Sequence, residues 1–161
     1  MELNTKGRYA VMAMADLAKY GDGGSLPLSV VAERQGISLA YLEQLFAKLR
    51  RAGHVESVRG RTGGYFLARP ATEIMVAEVL AAVGEPVEMT RCAAAGLVGC
   101  IGDHRCLTHD LWRALGDHIL AFLGEVSLQD VLDGFPVAAG STSPAASARA
   151  PGDFLKEAAS R

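Results

Sequence analysis

Apolar residues recur at helical spacing from Thr5 to Tyr20, where Ala10, Ala13, Met14 and Leu17 share one face and Thr5 is placed to cap the segment. Gly21-Asp22-Gly23-Gly24 ends that run, and a shorter helix is predicted over about 28–35 with Val31 and Ala32 turned inward. Gly36-Ile37-Ser38 then reads as a tight turn. Ser38 can cap a longer helix reaching about Arg51, in which Leu42, Leu45, Phe46 and Leu49 fall at i, i+3, i+4 and i+7. Its opposite face carries Ala40, Tyr41, Glu43, Gln44, Ala47, Lys48 and Arg51, and Gly53 closes it.

The period then changes from helix to strand. Residues 54–58 and 65–68 alternate as two short strands around Arg59-Gly60-Arg61-Thr62-Gly63-Gly64, which predicts a β-hairpin with a basic tip. An apolar helix follows over 76–83, stopped by Gly84 and Pro86. Residues 90–105 show no period, and a helix is predicted from Cys106 to about Leu123 with Leu111, Leu115, Ile119 and Phe122 on one face. Ser127 can cap a last short helix through Leu132. Residues 136–151 are Ala, Ser, Gly and Pro and are expected to be a disordered tail. The fold class is therefore mainly α with a small β-hairpin. The expected layout is a winged helix-turn-helix over 1–84, a loop over 85–106, a long and then a short helix over 107–133, and a tail over 134–161.

Charge sharpens this picture. The 161 residues carry a net charge of −2, but residues 1–70 hold ten Lys or Arg against six Asp or Glu, and the remainder holds six against twelve. An acidic chain with a basic N-terminal half disfavours indiscriminate nucleic-acid binding and permits a local phosphate-binding face. No apolar run approaches the roughly 18–20 residues needed to cross a bilayer. The N-terminal residues lack a signal core, so a cytoplasmic protein is expected. No Ser/His/Asp or paired-carboxylate pattern stands out at motif spacing, and an enzyme is not expected.

A helix, short helix, turn, helix and hairpin in that order suit DNA. The second helix of the turn motif fits the major groove with its N-terminal residues at the base edges. Here those residues are Ser38, Tyr41, Glu43 and Gln44. Gln can pair bidentately with adenine, and Glu can accept from cytosine N4. Arg59 and Arg61 at the wing tip can reach phosphates or a narrow minor groove, and the glycines let the backbone turn sharply and approach the duplex.

All three cysteines lie in one stretch, spaced Cys92-x7-Cys100-x5-Cys106-x2-His109. An odd, clustered count argues against a disulfide framework and for a ligand loop. Three thiolates and one imidazole can hold an iron–sulfur cluster, in which His can replace Cys, or a zinc ion. Zinc sites commonly bring close Cys pairs, which this spacing lacks. Cys106 and His109, at i and i+3 on the predicted helix start, would share a face. His104 is a rival to His109, whereas His118 reads as a helix-surface or interface residue and His54 as structural. A cluster carrier or redox protein is a third reading, though it would need neither helix-turn-helix nor basic wing.

Thr5-Lys6-Gly7-Arg8-Tyr9-Ala10-Val11, Glu33-Arg34-Gln35-Gly36-Ile37-Ser38, Tyr41-Leu42-Glu43-Gln44-Leu45-Phe46 and Ser57-Val58-Arg59-Gly60 resemble the bacterial iron–sulfur cluster regulators of the IscR type. Cys106-Leu107-Thr108-His109 followed by Leu111-Trp112-Arg113 is the most specific match, and the resemblance spans about residues 1–132. It implies a homodimer of winged-helix subunits joined by a crossing helix over about 107–123, and a 2Fe–2S cluster held by Cys92, Cys100, Cys106 and His109. It further implies a transcription regulator that represses cluster-assembly genes at a DNA operator when cluster is ample, and that binds a second class of DNA sites without cluster. Under the same resemblance Ser38, Tyr41 and Gln44 face the major groove, Glu43 helps discriminate the two site classes, and Arg59 enters the minor groove. Two departures stand out. The first cysteine gap is longer than in the best-known relative, which adds slack to the loop, and Ala40 replaces a hydroxyl residue, which removes one polar DNA contact.

Overall fold

The computed structural model describes residues 5–21, 23–60, 63–85, 100 and 104–134. Cys92, Arg61, most of the expected loop and the expected tail from 135 onward lie outside them. The described chain folds as helix α1 (Thr5–Tyr20), α2 (Leu28–Gln35), α3 (Leu39–Arg51), strands β1 (Val55–Val58) and β2 (Gly64–Leu67), a 3₁₀ turn (Ala71–Glu73), α4 (Val76–Val83), α5 (His109–Glu125) and α6 (Leu128–Asp133).

Helix α1 runs through the middle and packs against α2, α3, α4, α6 and β2. Its Ala10, Ala13, Met14 and Leu17 meet Leu42, Leu45, Phe46 and Leu49 of α3 in one core, completed by Val31, Ile74, Val79, Val83 and Leu128. The helical spacing read from the sequence therefore marks the buried stripes in both helices. Burying a Leu or Phe contributes about 1.5–3 kcal/mol each before entropy is counted, and this shared core orients α3.

The turn between α2 and α3 follows its residues closely. Gly36 ends α2 at φ 63, a conformation that glycine adopts without strain. Ile37 is buried, and the Ser38 hydroxyl accepts from the Tyr41 amide at 3.3 Å to cap α3. Helix α1 spans Thr5–Tyr20, the range the sequence predicts, with Thr5 inside the helix rather than ahead of it as a cap.

Strands β1 and β2 pair antiparallel with Val55 opposite Leu67 and Val58 opposite Gly64. Leu26 extends the pairing on the far side of β2, exchanging two 2.9 Å hydrogen bonds with Tyr65. A Cβ on Gly64 would sit 2.4 Å from the Leu26 carbonyl, so no side chain fits there. Gly63, whose Cβ would lie 2.6 Å from the Val58 oxygen, is likewise required by hairpin closure. The glycines read as aids to approaching the duplex thus have a first duty inside the hairpin, because the strands cannot close around any larger residue.

The C-terminal part is tied back at one seam. Val76 donates to the Val126 carbonyl at 2.8 Å, and Leu128 donates to Ile74 at 2.9 Å. Ser127 and Asp130 cap α6 reciprocally, the Ser127 amide donating to Asp130 at 2.8 Å and the Asp130 amide to Ser127 Oγ at 3.1 Å. Among the described residues no helix is long and apolar enough to cross a membrane.

Candidate nucleic-acid interface and thiol–imidazole site

The outer face of α3 presents Ser38, Glu43 and Gln44 to solvent, as the spacing predicts. Tyr41 differs. It is half-buried, with its ring edge-on to Tyr9 at 6.1 Å and 82°, so part of the residue packs α3 onto α1. An aromatic ring at the edge of a core stripe gains more by packing than by full exposure. Arg59 is exposed just beyond β1, while Arg61 falls outside the described residues.

Contacts that sequence reasoning missed join this helix to the wing. Arg50 donates to the Ser57 hydroxyl at 3.1 Å, and Phe46 meets Tyr65 edge-on at 5.1 Å. Such a ring pair adds about 0.5–1.5 kcal/mol beyond burial and fixes the hairpin against α3. Lys48, assigned to the outer face by periodicity, folds back to donate to the Val83 carbonyl at 3.2 Å. Lys6 reaches the neighbouring Gly84 carbonyl at 2.7 Å. Both lysines satisfy carbonyls left open at the C-terminus of α4, where positive charge is favoured. The sequence signal was available: two basic residues and a helix that ends in Val-Gly.

At the root of the wing, His54 is buried, as a structural reading expects. Its Nδ1 lies 3.2 Å from Arg69, which also reaches Glu78 at 3.3 Å. Burial pushes the imidazole below its usual range, opposed by the nearby Glu78 carboxylate. Glu78 in turn accepts from the Met75 amide at 2.9 Å at the start of α4, which holds its own carboxyl low.

The second site lies ahead of α5. Cys106 was expected to begin that helix; the helix begins at His109 instead, and Cys106 stands in the turn before it, its carbonyl accepting from the His109 amide at 3.1 Å. The backbone reason is Thr108, whose ψ of 6° differs from that of a helix interior and starts the regular ladder one turn later. Cys100 and His109 come together, with Sγ 3.0 Å from Nδ1. Cys106 Sγ lies 3.6 Å from the Thr108 hydroxyl. Hydrogen bonding from Thr108, aided by Cys100, holds the Cys106 thiol below its ordinary range, which favours the thiolate. Among the described residues, Cys100 and Cys106 are not joined to each other by a disulfide. His104 and His118 are both exposed, and the His104 carbonyl accepts from the Cys100 amide at 3.0 Å.

Helix α5 contrasts with every other helix. Leu111, Trp112, Leu115, Leu120 and Phe122 each leave more than a third of their surface exposed, and only Gly116 is buried. Among the described residues its Leu123 packs on Val76, Leu80 and Val126.

Comparison with known proteins places these features. Residues 3–134 match the Rrf2 family model, described as an iron-dependent transcriptional regulator. The chain is 55% identical over 133 residues to the HTH-type transcriptional regulator IscR of Photorhabdus laumondii, covering 83% of this chain and 80% of that protein. It is 52% identical over 139 residues to the same-named regulator of Escherichia coli, covering 83% and 85%. Among solved structures, T. potens IscR superposes with a TM-score of 0.67 at 38% identity over 83% of this chain and 87% of that one. CymR, the global cysteine regulator of B. subtilis, gives 0.70 at 29% identity over 83% and 97%.

Proposed function

The chain belongs to the Rrf2 family and is a transcription regulator of the IscR type, and from that premise we propose that it reads a DNA operator as a homodimer and senses a 2Fe–2S cluster. The cluster's ligands are Cys92, Cys100, Cys106 and His109. The regulator represses cluster-assembly genes when the cluster is bound. The observation that carries this reading is the meeting of Cys100 Sγ and His109 Nδ1 at 3.0 Å, with Cys106 in the adjoining turn.

The donors suit the group. Thiolates are the usual ligands of iron–sulfur clusters and an imidazole can replace one of them. Cys106 is biased toward thiolate by Thr108, and Cys100 and His109 converge from either side of the turn. When bound, the cluster supplies a redox-active, oxygen-labile centre whose presence reports cluster supply. The chain's own residues do the rest. Glu43 and Gln44 meet base edges, with Ser38 and the exposed part of Tyr41 beside them, and Arg59 and Arg61 reach the minor groove or phosphates. The apolar face of α5 joins two subunits, so that two reading helices address two half-sites. Residues 1–84 form the reading domain, 85–106 the sensing loop, and 107–133 the coupling helices.

Cluster occupancy must favour one DNA-bound state by its own differential free energy. The test of the site is anaerobic purification followed by iron and acid-labile sulfide assays on wild type, Cys100→Ala and His109→Ala. The expected result is visible charge-transfer absorption with equal iron and sulfide in wild type and loss of both in Cys100→Ala. A colourless protein containing zinc instead would overturn the cluster and leave a zinc-stabilised regulator.

A further inference from the structure

We propose that Asp16 is a positioning residue for DNA reading, acting through Arg34 and Gln35 to fix how α3 is presented. The inference deepens the function proposed above and rests on that reading. Asp16 lies among the core-facing positions of α1, and its side chain has no exposed surface. Both carboxylate oxygens are used. One accepts from Arg34 Nη2 at 2.5 Å, and the other accepts from Arg34 Nε at 3.0 Å and from Gln35 Nε2 at 2.7 Å. The Arg34 guanidinium also lies over the Tyr20 ring at 4.3 Å, a second hold on α1.

Stability does not account for this choice of residues. Burying the Asp16 carboxylate carries a desolvation cost, and an ion pair whose Arg34 end keeps 32% of its side chain exposed returns only part of it. A forked guanidinium on a carboxylate supplies direction, because its donors are planar and fixed relative to one another. That direction is applied at one place. Arg34 and Gln35 are the last residues of α2, and Gly36, Ile37 and Ser38 are all that separate them from α3. Ile37 donates to the Ala32 carbonyl at 3.0 Å, so the turn adds little freedom of its own. Fixing the end of α2 against α1 therefore fixes where α3 starts and which way Ser38, Glu43 and Gln44 face. The signal was present in the sequence as an acid at a core-facing position of an otherwise apolar helix face.

The test compares wild type, Asp16→Asn and the double variant Asp16→Leu/Arg34→Met in the full chain. Three quantities are read: melting temperature, amide hydrogen exchange over residues 38–44, and affinity for a duplex selected by wild type from random DNA, at several salt concentrations. The double variant is expected to melt at or above the wild-type temperature. Its Tyr41 and Leu42 amides should exchange faster, and its affinity should fall about tenfold, the scale of one lost base contact. The salt slope should stay unchanged, because no phosphate contact is removed. Asp16→Asn keeps the shape but sets an amide donor against Arg34, and should show the same changes in smaller measure. Either folded variant exchanging and binding like wild type would overturn the proposal. Wild type that selects no duplex would instead overturn the DNA-reading function, while the exchange comparison would still decide whether Asp16 positions α3.

Discussion

The first 85 residues and helix α5 solve the problem of apolar surface in opposite ways. In the reading domain, α1, α3 and α4 turn their apolar stripes inward around Phe46, Met14 and Leu45, and polar residues face out. Helix α5 has a comparable number of large apolar residues, yet Leu111, Trp112, Leu115, Leu120 and Phe122 remain in contact with solvent. An amphipathic helix that leaves so many large apolar side chains in contact with solvent offers a face suited to a partner helix. The difference teaches that the described residues up to 85 bury their own apolar stripes, whereas α5 leaves an apolar face that the proposed dimer would cover. The thiol–imidazole site lies at the start of α5.

The sharpest break in that comparison is Phe46→Ala. It removes a fully buried ring at the centre of the reading domain and should cost about 3–5 kcal/mol of stability in a denaturant melt. Next is Leu115→Glu, which should leave the domain's fold intact and weaken self-association by about 2 kcal/mol or more, seen by sedimentation as monomer at concentrations where wild type is a dimer. If Leu115→Glu unfolds the chain instead, α5 belongs to the subunit's own core and the contrast fails. Gln44→Ala removes an exposed side chain from the reading face and should lose about 1–3 kcal/mol of operator affinity without a change in melting. Ser38→Ala removes the cap of α3 and should cost about 1 kcal/mol in stability.

The smallest effect is a pH dependence. Burial lowers the His54 pKa in the folded chain, so the unfolded chain binds the proton more readily. The stability this contributes is complete above the unfolded value near 6.5 and is lost as pH falls from there through the folded value. Melting followed between neutral and mildly acidic pH should show that loss, and His54→Gln should flatten it.

Much of this was legible from spacing alone. Leu42, Leu45, Phe46 and Leu49 are buried because four residues at i, i+3, i+4 and i+7 can share only one face. Gly36, Ser38 and Gly84 mark helix boundaries because their backbone or hydroxyl chemistry suits those positions. What escaped was set by contacts distant in sequence. Lys48 lies on the polar face of α3 by period, yet reaches Val83 because α4 ends beside it. Tyr41 is drawn inward by Tyr9, which lies 32 positions earlier. The partner of Asp16 could not be read from α1, since Arg34 lies on α2 and approaches only after the chain has turned back between the two helices. The ligand set was suggested by residue type and spacing. The approach of Cys100 to His109 came only with the fold, and so did the placement of Cys106 ahead of the helix, because Thr108 starts the ladder one turn later than the periodicity implies.

The most direct test of the central claim, that a cluster held at Cys92, Cys100, Cys106 and His109 governs the reading of DNA, is an anaerobic binding titration. A duplex selected from random DNA by the iron- and sulfide-loaded protein would be titrated with that protein and with the same preparation after cluster removal. The account predicts that the loaded form binds at least about tenfold more tightly, with affinity falling steeply as salt rises in both forms. Equal affinity of the two forms for every selected duplex would contradict it.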